Sequence, residues 1–501
     1  MADLEQKEKK DILPLSTSHS NREETHKSER NLIHINEKKE ETNKTDVKRL
    51  YEEDPHRIFV LTSICFCIFS NGFQFVTFIP IFNDFSFHYE ISKWKIDMFA
   101  LIYMIIYPFV FIPESLFIDK IGMKIGMKIC SGCTLVGSFL QIFINNDKSL
   151  STCYIGQILS GLVRPCLLSI PGKITTEWFS EDKRTLICSI CYLSDIAGIL
   201  IGYLWSLAYI KENSTKEDFR ERIFRYMLSK FIVIIVLCIS PFFIEKDNPE
   251  KPPSPSQNKD NLKNRTFKND VKMLFLNKSY IFLLISTFFM AGYYYSIITT
   301  IIKLLGLYGL TQRKSIYTFG LSSFIGIISS IIFSFILDKY KKYKLFMIIF
   351  CAFAILCQVF LTFLLELVKT KGLNQYAISL VLYSLIYVGI IPFMTIGINY
   401  ACEITYPVSE SINGGFLMLM PQLCGIVGFF LFDNLIDKYS SKAWISNLIL
   451  LIFLIISCIL SLFLDDNLKR IKIDLNGRSK DEKEDVKIES NNVEIKTKLS
   501  S

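Results

Sequence analysis

Leu116-Phe117-Ile118-Asp119-Lys120 and Phe335-Ile336-Leu337-Asp338-Lys339 repeat one pattern: an apolar helix end followed by an acidic–basic pair. A basic turn follows each, Gly122-Met123-Lys124 after the first and Lys341-Lys342 after the second. Each copy closes the second apolar run in a series of six. The first series covers Ile58 to Phe82, Ile96 to Ile118, and stretches near 125–145, 152–174, 185–209 and 226–245. The second lies near 279–304, 314–337, 344–368, 376–400, 409–435 and 443–464. A run of ~20 apolar residues is the length a helix needs to cross a ~30 Å hydrocarbon core. Inside that core each backbone N–H and C=O must pair within its own segment, so each run is expected to be a helix. The pattern predicts an all-α membrane protein with twelve transmembrane helices in two pseudo-symmetric six-helix bundles, 56–245 and 278–465. Asp119 and Asp338 are expected in equivalent loops. There each carboxylate can accept from the free N–H groups of a neighbouring helix start, where the macrodipole is positive. Lys120 and Lys339 are expected to stay in the aqueous interface near anionic lipid. Breaking these links would free one half to rock against the other.

Composition agrees with a membrane chain. Half the residues are hydrophobic and 42 are Phe. The formal charge of +8 does not point to nucleic acid, because the Lys and Arg residues lie in tails and loops beside equally dense Asp and Glu. Residues 1–55 and 466–501 are polar, charged and expected to be disordered, and residues 246–277 read as a polar linker rich in Pro, Lys and Asn. Both tails and the linker are basic, which favours a cytoplasmic location, although the stretch Lys211 to Arg225 on the opposite side is basic too. No cleaved secretory leader is expected in the polar N-terminal stretch. Of the 14 Cys, Cys130/Cys133 and Cys188/Cys191 form C-x-x-C pairs without flanking His, and read as small residues at helix contacts.

Polar residues inside apolar runs carry the functional information. Arg164 sits in the middle of the fourth run, where a charge costs ~2.5–3.5 kcal/mol on insertion scales and normally faces a bundle interior with a partner. Asp195, in the middle of the fifth run, is the candidate partner. The pair reads equally as an ion pair joining two helices and as a charge that contacts substrate. Gln74 and Phe75 in the first run, and Tyr294 and Tyr295 in the seventh, place aromatic and amide groups on two helices expected to line a central path. Aromatic faces there can hold an organic cation or stack on a flat ring. Gln422 is a candidate pore residue in the eleventh run. Glu403, near Tyr406-Pro407, reads as structural or gating, and Glu114 lies within reach of the membrane interface.

A further set of stretches is distinctive: Asn71-Gly72-Phe73-Gln74, Ile96-Asp97, Tyr103-Met104, Pro113, Gly156-Gln157, Ile170-Pro171-Gly172-Lys173-Ile174, Trp178-Phe179 and Thr405-Tyr406-Pro407-Val408-Ser409-Glu410. In these residues the chain resembles the feline leukaemia virus subgroup C receptor-related family of major facilitator transporters. Major facilitator transporters carry an acidic–basic loop between the second and third helices of each half, like the repeat quoted above. The resemblance implies choline or ethanolamine transport, with haem export an older assignment, and an aromatic box with nearby Gln residues. Tyr295 and Gln422 match that box. Phe75 stands where the family has Trp, and Arg164 where it has Gln. Either Asp195 neutralises Arg164, or the cargo is anionic, such as a haem with its two propionates.

These residues together predict a secondary transporter of a small organic solute that works by alternating access. No cofactor, metal site or catalytic cluster is expected, and neither is an enzyme activity. The expected partners are a small-molecule substrate and the lipid bilayer, without nucleic acid and with the chain as a monomer.

Overall fold

Apolar sequence places the helices, and among the described residues eleven segments are long and apolar enough to cross a membrane. The computed structural model describes residues 54–144, 150–180, 182–210, 215–251, 253, 266–371, 374–438 and 443–475. The rest, including 1–53 and 476–501 of the two tails, lies outside the described residues. The helices of the first half are α1 (Arg57–Phe75), α2 (Phe82–Tyr89), α3 (Lys93–Ile121), α4 (Met123–Gln141), α5 (Leu150–Leu162), α6 (Arg164–Trp178), α7 (Arg184–Ser206) and α8 (Lys216–Cys238). Those of the second are α9 (Phe267–Leu276), α10 (Lys278–Gly306), α11 (Gln312–Tyr340), α12 (Tyr343–Lys371), α13 (Gln375–Thr405), α14 (Glu410–Lys438) and α15 (Trp444–Leu462). The eleven apolar spans count α5 and α6 as one. The helix of the third run, α4, is not among them: it carries Lys124, Lys128 and a buried polar row, Ser131, Thr134, Ser138 and Gln141.

The two halves pack alike. α1 lies against α7 as α10 lies against α14, and α4 against α8 as α12 against α15. Between halves, α7 meets α11 and α14 meets α3, one contact being the pseudo-symmetric image of the other. Both repeat loops also turn at a positive-φ residue, though not in the same conformation. Three residues after Asp119 comes Gly122 at φ 90°, and three after Asp338 comes Lys341 at φ 54°. Both close their helix with an N–H bond to the fourth residue back, Ile118 and Leu337. Large apolar side chains face outward, among them Phe109, Val236, Phe335 and Phe363, as a lipid-facing belt requires. Cys130, Cys188 and Cys191 are buried between helices.

Four boundaries differ from the sequence expectation. The first run is not one helix: α1 stops at Phe75, and Pro80, which has no N–H to give, lies in the turn before α2. The fourth run breaks at Val163, ahead of Arg164-Pro165. The sixth run starts ten residues early, at Lys216, because Thr215 accepts from the N–H of Asp218 and so caps the helix. The linker ends in α9, where Asp270 is buried and accepts from the N–H of Ser409.

The largest correction concerns the C-terminal tail, expected to be disordered from 466. Residues 469–475 are helical, and Arg470 and Asp474 are buried. Arg470 bonds Glu410 at 2.9 Å and Asp474 bonds Arg184 at 2.7 Å. Burial opposes the charge on Arg470, but Glu410 and Glu403 more than offset it and hold the guanidinium above its ordinary pKa. Seven residues carrying two buried charges give little apolar periodicity, so composition alone reads them as solvated.

Candidate functional site

The break in the fourth run creates the site. Pro165 cannot donate to a preceding carbonyl, so α5 ends and α6 begins at Arg164 with Pro165 in its first turn. The carboxylate of Glu114 on α3 accepts from the backbone N–H of Cys166 at 2.8 Å and caps this half-helix. Glu114 therefore works inside the bundle and not merely at the interface.

Arg164, fully buried, leaves α6 at that break. It donates through both terminal nitrogens to Asp195 on α7, Nη1 to Oδ1 at 3.0 Å and Nη2 to Oδ2 at 2.9 Å. Nη1 also donates to Asn71 Oδ1 at 3.1 Å, and Nη2 to the Tyr295 hydroxyl at 3.4 Å. A fork-on-fork pair of this kind is directional and neutral overall. Gly72 makes room for it: a Cβ there would stand 2.5 Å from the Asp195 carbonyl oxygen and 2.7 Å from its carboxylate.

Aromatic rings surround the guanidinium. Its carbon lies 4.7 Å from the Phe75 ring centroid and 5.9 Å from that of Tyr103. Phe75 stands 5.3 Å from Tyr103 and 6.5 Å from Tyr295. The chain of rings continues from Tyr295 to Tyr294 and on to Phe319 and Tyr387. α1, α3, α6 and α7 of the first half thus meet α10, α11 and α13 of the second around one centre.

The structure brings Phe75, Arg164, Asp195, Tyr294 and Tyr295 together. Gln74 and Gln422 are both fully buried, and neither side-chain amide has a protein hydrogen-bond partner. Gln74 adjoins Phe75 and follows Asn71 by three residues, so it shares that helix face. Gln422 shares its face with Gly425, whose nearest neighbours across the helix are the Met104 sulfur and Tyr295 Cβ. Sequence reasoning missed Asn71 as the third ligand of Arg164, and also Tyr103, Phe319 and Tyr387. Each lies in an apolar run among other polar or aromatic residues, where periodicity does not separate a site residue from ordinary packing.

Links between the halves lie at both ends of the centre. At the end carrying the repeat loops, Asp338 accepts from the N–H groups of Thr185 and Leu186 at the start of α7. Asp119 accepts instead from the hydroxyls of Ser409 and Ser411 at the start of α14, and from Lys173 at 3.1 Å. The cations that bond these carboxylates are Lys173 and Lys341, whereas Lys120 and Lys339 are exposed at the surface. Glu403 is buried 3.9 Å from Arg184 on the same side. At the opposite end Lys303 of the second half bonds Asp97 of the first, and Tyr203 donates to the carbonyl of Ile298.

The family model described as Major Facilitator Superfamily matches residues 64–411. The chain belongs to this superfamily. It is a multi-pass integral membrane transporter, and its curated relatives agree with the resemblance read from the sequence. The choline/ethanolamine transporter FLVCR1 of Felis catus is 27% identical over 428 residues, 84% of this chain and 74% of that protein. The human choline/ethanolamine transporter FLVCR2 is 24% identical over 452 residues, 88% and 82% of the two chains. An uncharacterised superfamily transporter of Caenorhabditis elegans is 26% identical over 425 residues, 83% and 70%. Among solved superfamily structures, FucP in its outward conformation superposes with a TM-score of 0.61 at 11% identity, covering 81% of this chain and 98% of that one. A bacterial homologue of the human lysosomal transporter Spinster gives 0.56 at 13%, covering 85% and 99%. These two likenesses are of fold.

Proposed function

We propose that the chain moves a small amino alcohol of the choline/ethanolamine class across a membrane by alternating access. The observation that carries this reading is the two-pronged Arg164–Asp195 pair. It cancels the central positive charge, so a cationic cargo meets aromatic faces and amide groups without a net repulsive charge. The unpartnered amides of Gln74 and Gln422 supply acceptors and donors for a hydroxyl or ammonium group. The curated relatives named above support the substrate class. The links at each end join opposite halves, so opening one end requires only their exchange as the halves rock.

A second reading, a carboxylate-bearing solute such as haem, rests on Arg164 itself. A carboxylate would meet a guanidinium whose terminal nitrogens already bond Asp195, Asn71 and Tyr295, with only Nε lacking a protein partner. The deciding experiment is uptake into proteoliposomes of labelled choline, ethanolamine and haem. Saturable uptake of an amino alcohol supports the first reading; uptake of haem alone replaces it with the second.

A further inference from the structure

At the end of the bundle away from the Asp119 and Asp338 loops, a cavity lies between the halves, lined in part by Phe82, Asp97, Thr299, Lys303 and Phe429. Lys303, in the last turn of α10, sends its ammonium to Asp97 at 3.0 Å and to Asp433 at 2.7 Å. The same nitrogen lies 4.7 Å from the centroid of Phe82 and 5.2 Å from that of Phe429. Phe82 and Asp97 belong to the first half; Lys303, Phe429 and Asp433 belong to the second.

Two carboxylates and two ring faces therefore converge on one ammonium. Ring faces within ~6 Å of a cation are the geometry that recognises alkylammonium ions, including quaternary ones that cannot donate a hydrogen bond. The group is also reachable. The side chain of Asp433 is 36% exposed and that of Lys303 18%, whereas Arg164 is sealed.

We propose that this cage is an outer binding site for organic ammonium ions, in which Lys303 is a tethered occupant that an arriving solute displaces. The physiological identity of the solute rests on the amino-alcohol reading above; the cage itself does not. Exchange of one ammonium for another conserves charge, so the Asp97–Lys303 link between halves can break without leaving a carboxylate bare. The displaced Lys303 keeps Asp433 on its own half, and the solute stays with Phe82 and Asp97 on the other. Arrival of cargo thereby releases one of the ties between the halves at this end.

The test uses purified full-length protein and tetramethylammonium. In the wild type, Lys303 should react with an amine-directed acylating reagent several-fold faster when tetramethylammonium is present, read by peptide mass spectrometry with surface lysines as the internal reference. Lys303→Met, which empties the cage, should bind tetramethylammonium there several-fold more tightly than the wild type, and Asp97→Asn in the same chain should remove that binding. Lys303→Arg, which refills the cage, should show no gain in affinity. Unchanged or slower Lys303 acylation in the wild type overturns the proposal, and so does a folded Lys303→Met protein with no gain in affinity. Both readouts are referred to Lys303, so they stand even if the Arg164 centre proves to take an anion. A failure of amino-alcohol uptake is thus distinguishable from a failure of the cage.

Discussion

Arg184, the first residue of α7, and Asp474, in the last described turn of the chain, hold each other at 2.7 Å with both side chains out of solvent. The bond ties the first half of the transporter to its own C-terminal segment, and Arg470 ties that segment to Glu410 at the start of α14. Removing one partner of a buried pair leaves the other charge uncompensated, which costs ~3–5 kcal/mol. Glu403, 3.9 Å from Arg184, offsets part of this. Asp474→Asn should therefore lower thermal stability in detergent, by less than that range. Truncation after Asp466 should lower it further, because Glu410 then loses Arg470 as well. A melting curve unchanged by either would show that the segment is not held as described.

Asp338 and Asp119 occupy matching loops but do different work, and substitution should separate them. Asp338 caps α7 through two backbone N–H groups. Loss of such a cap costs ~0.5–2 kcal/mol. Asp338→Ala should show that loss in thermal melts, and Asp338→Asn should recover part of it through its one remaining acceptor oxygen. Asp119 instead bonds Lys173 within its own half and the hydroxyls of Ser409 and Ser411 in the other, and only the two serine bonds are released when the halves part. Asp119→Ala should chiefly raise the labelling of a cysteine placed at Ser411, with a smaller change in melting.

Gly122 tests the turn that follows the first repeat. Its φ of 90° is a conformation that side chains disfavour, and a Cβ would stand 2.7 Å from the Asp247 carboxyl carbon. Asp247 cannot simply move aside, because it accepts from the N–H of Lys124 at 2.7 Å. Gly122, at ψ 163°, lies in a region that essentially only glycine occupies, so Gly122→Ala should cost ~1–3 kcal/mol. Lys341→Ala, at a position where a side chain already adopts positive φ, should cost less. Equal melting temperatures for the two variants would contradict this account.

The halves and their paired loops were legible in the sequence because apolar length and the two Asp-Lys repeats are local patterns. The Arg164–Asp195 pair was legible for a different reason: a membrane core permits few lone charges, so the only carboxylate in the next run was a strong candidate. Asn71 and Tyr103 were not legible as parts of the centre, because their roles depend on which face of a helix meets Arg164, and the all-apolar runs around them hide the face. The buried tail helix at 469–475 was hidden by its charges. Lys, Arg and Asp read as solvated until Arg184 and Glu410, hundreds and tens of residues away in sequence, are brought beside them.

Arg164 is where charge and substrate class meet, and three variants resolve its role. In Arg164→Gln the residue becomes the one that the resembled family carries, but Asp195 is left buried without its cation. That alone should destabilise the protein by ~3–5 kcal/mol, and loss of uptake in it would not distinguish misfolding from chemistry. Asp195→Asn leaves Arg164 charged without a counter-charge, bonded only to neutral groups such as Asn71 and Tyr295. It should abolish uptake of a cationic amino alcohol, since two cations ~4 Å apart repel strongly where the dielectric is low. The double variant, Arg164→Gln with Asp195→Asn, removes both charges and should recover folding. If the pair serves only to present a neutral aromatic centre, choline or ethanolamine uptake survives in the double variant. Uptake lost in a double variant that melts like the wild type would show that the cargo needs the charges themselves, and would favour the anionic reading.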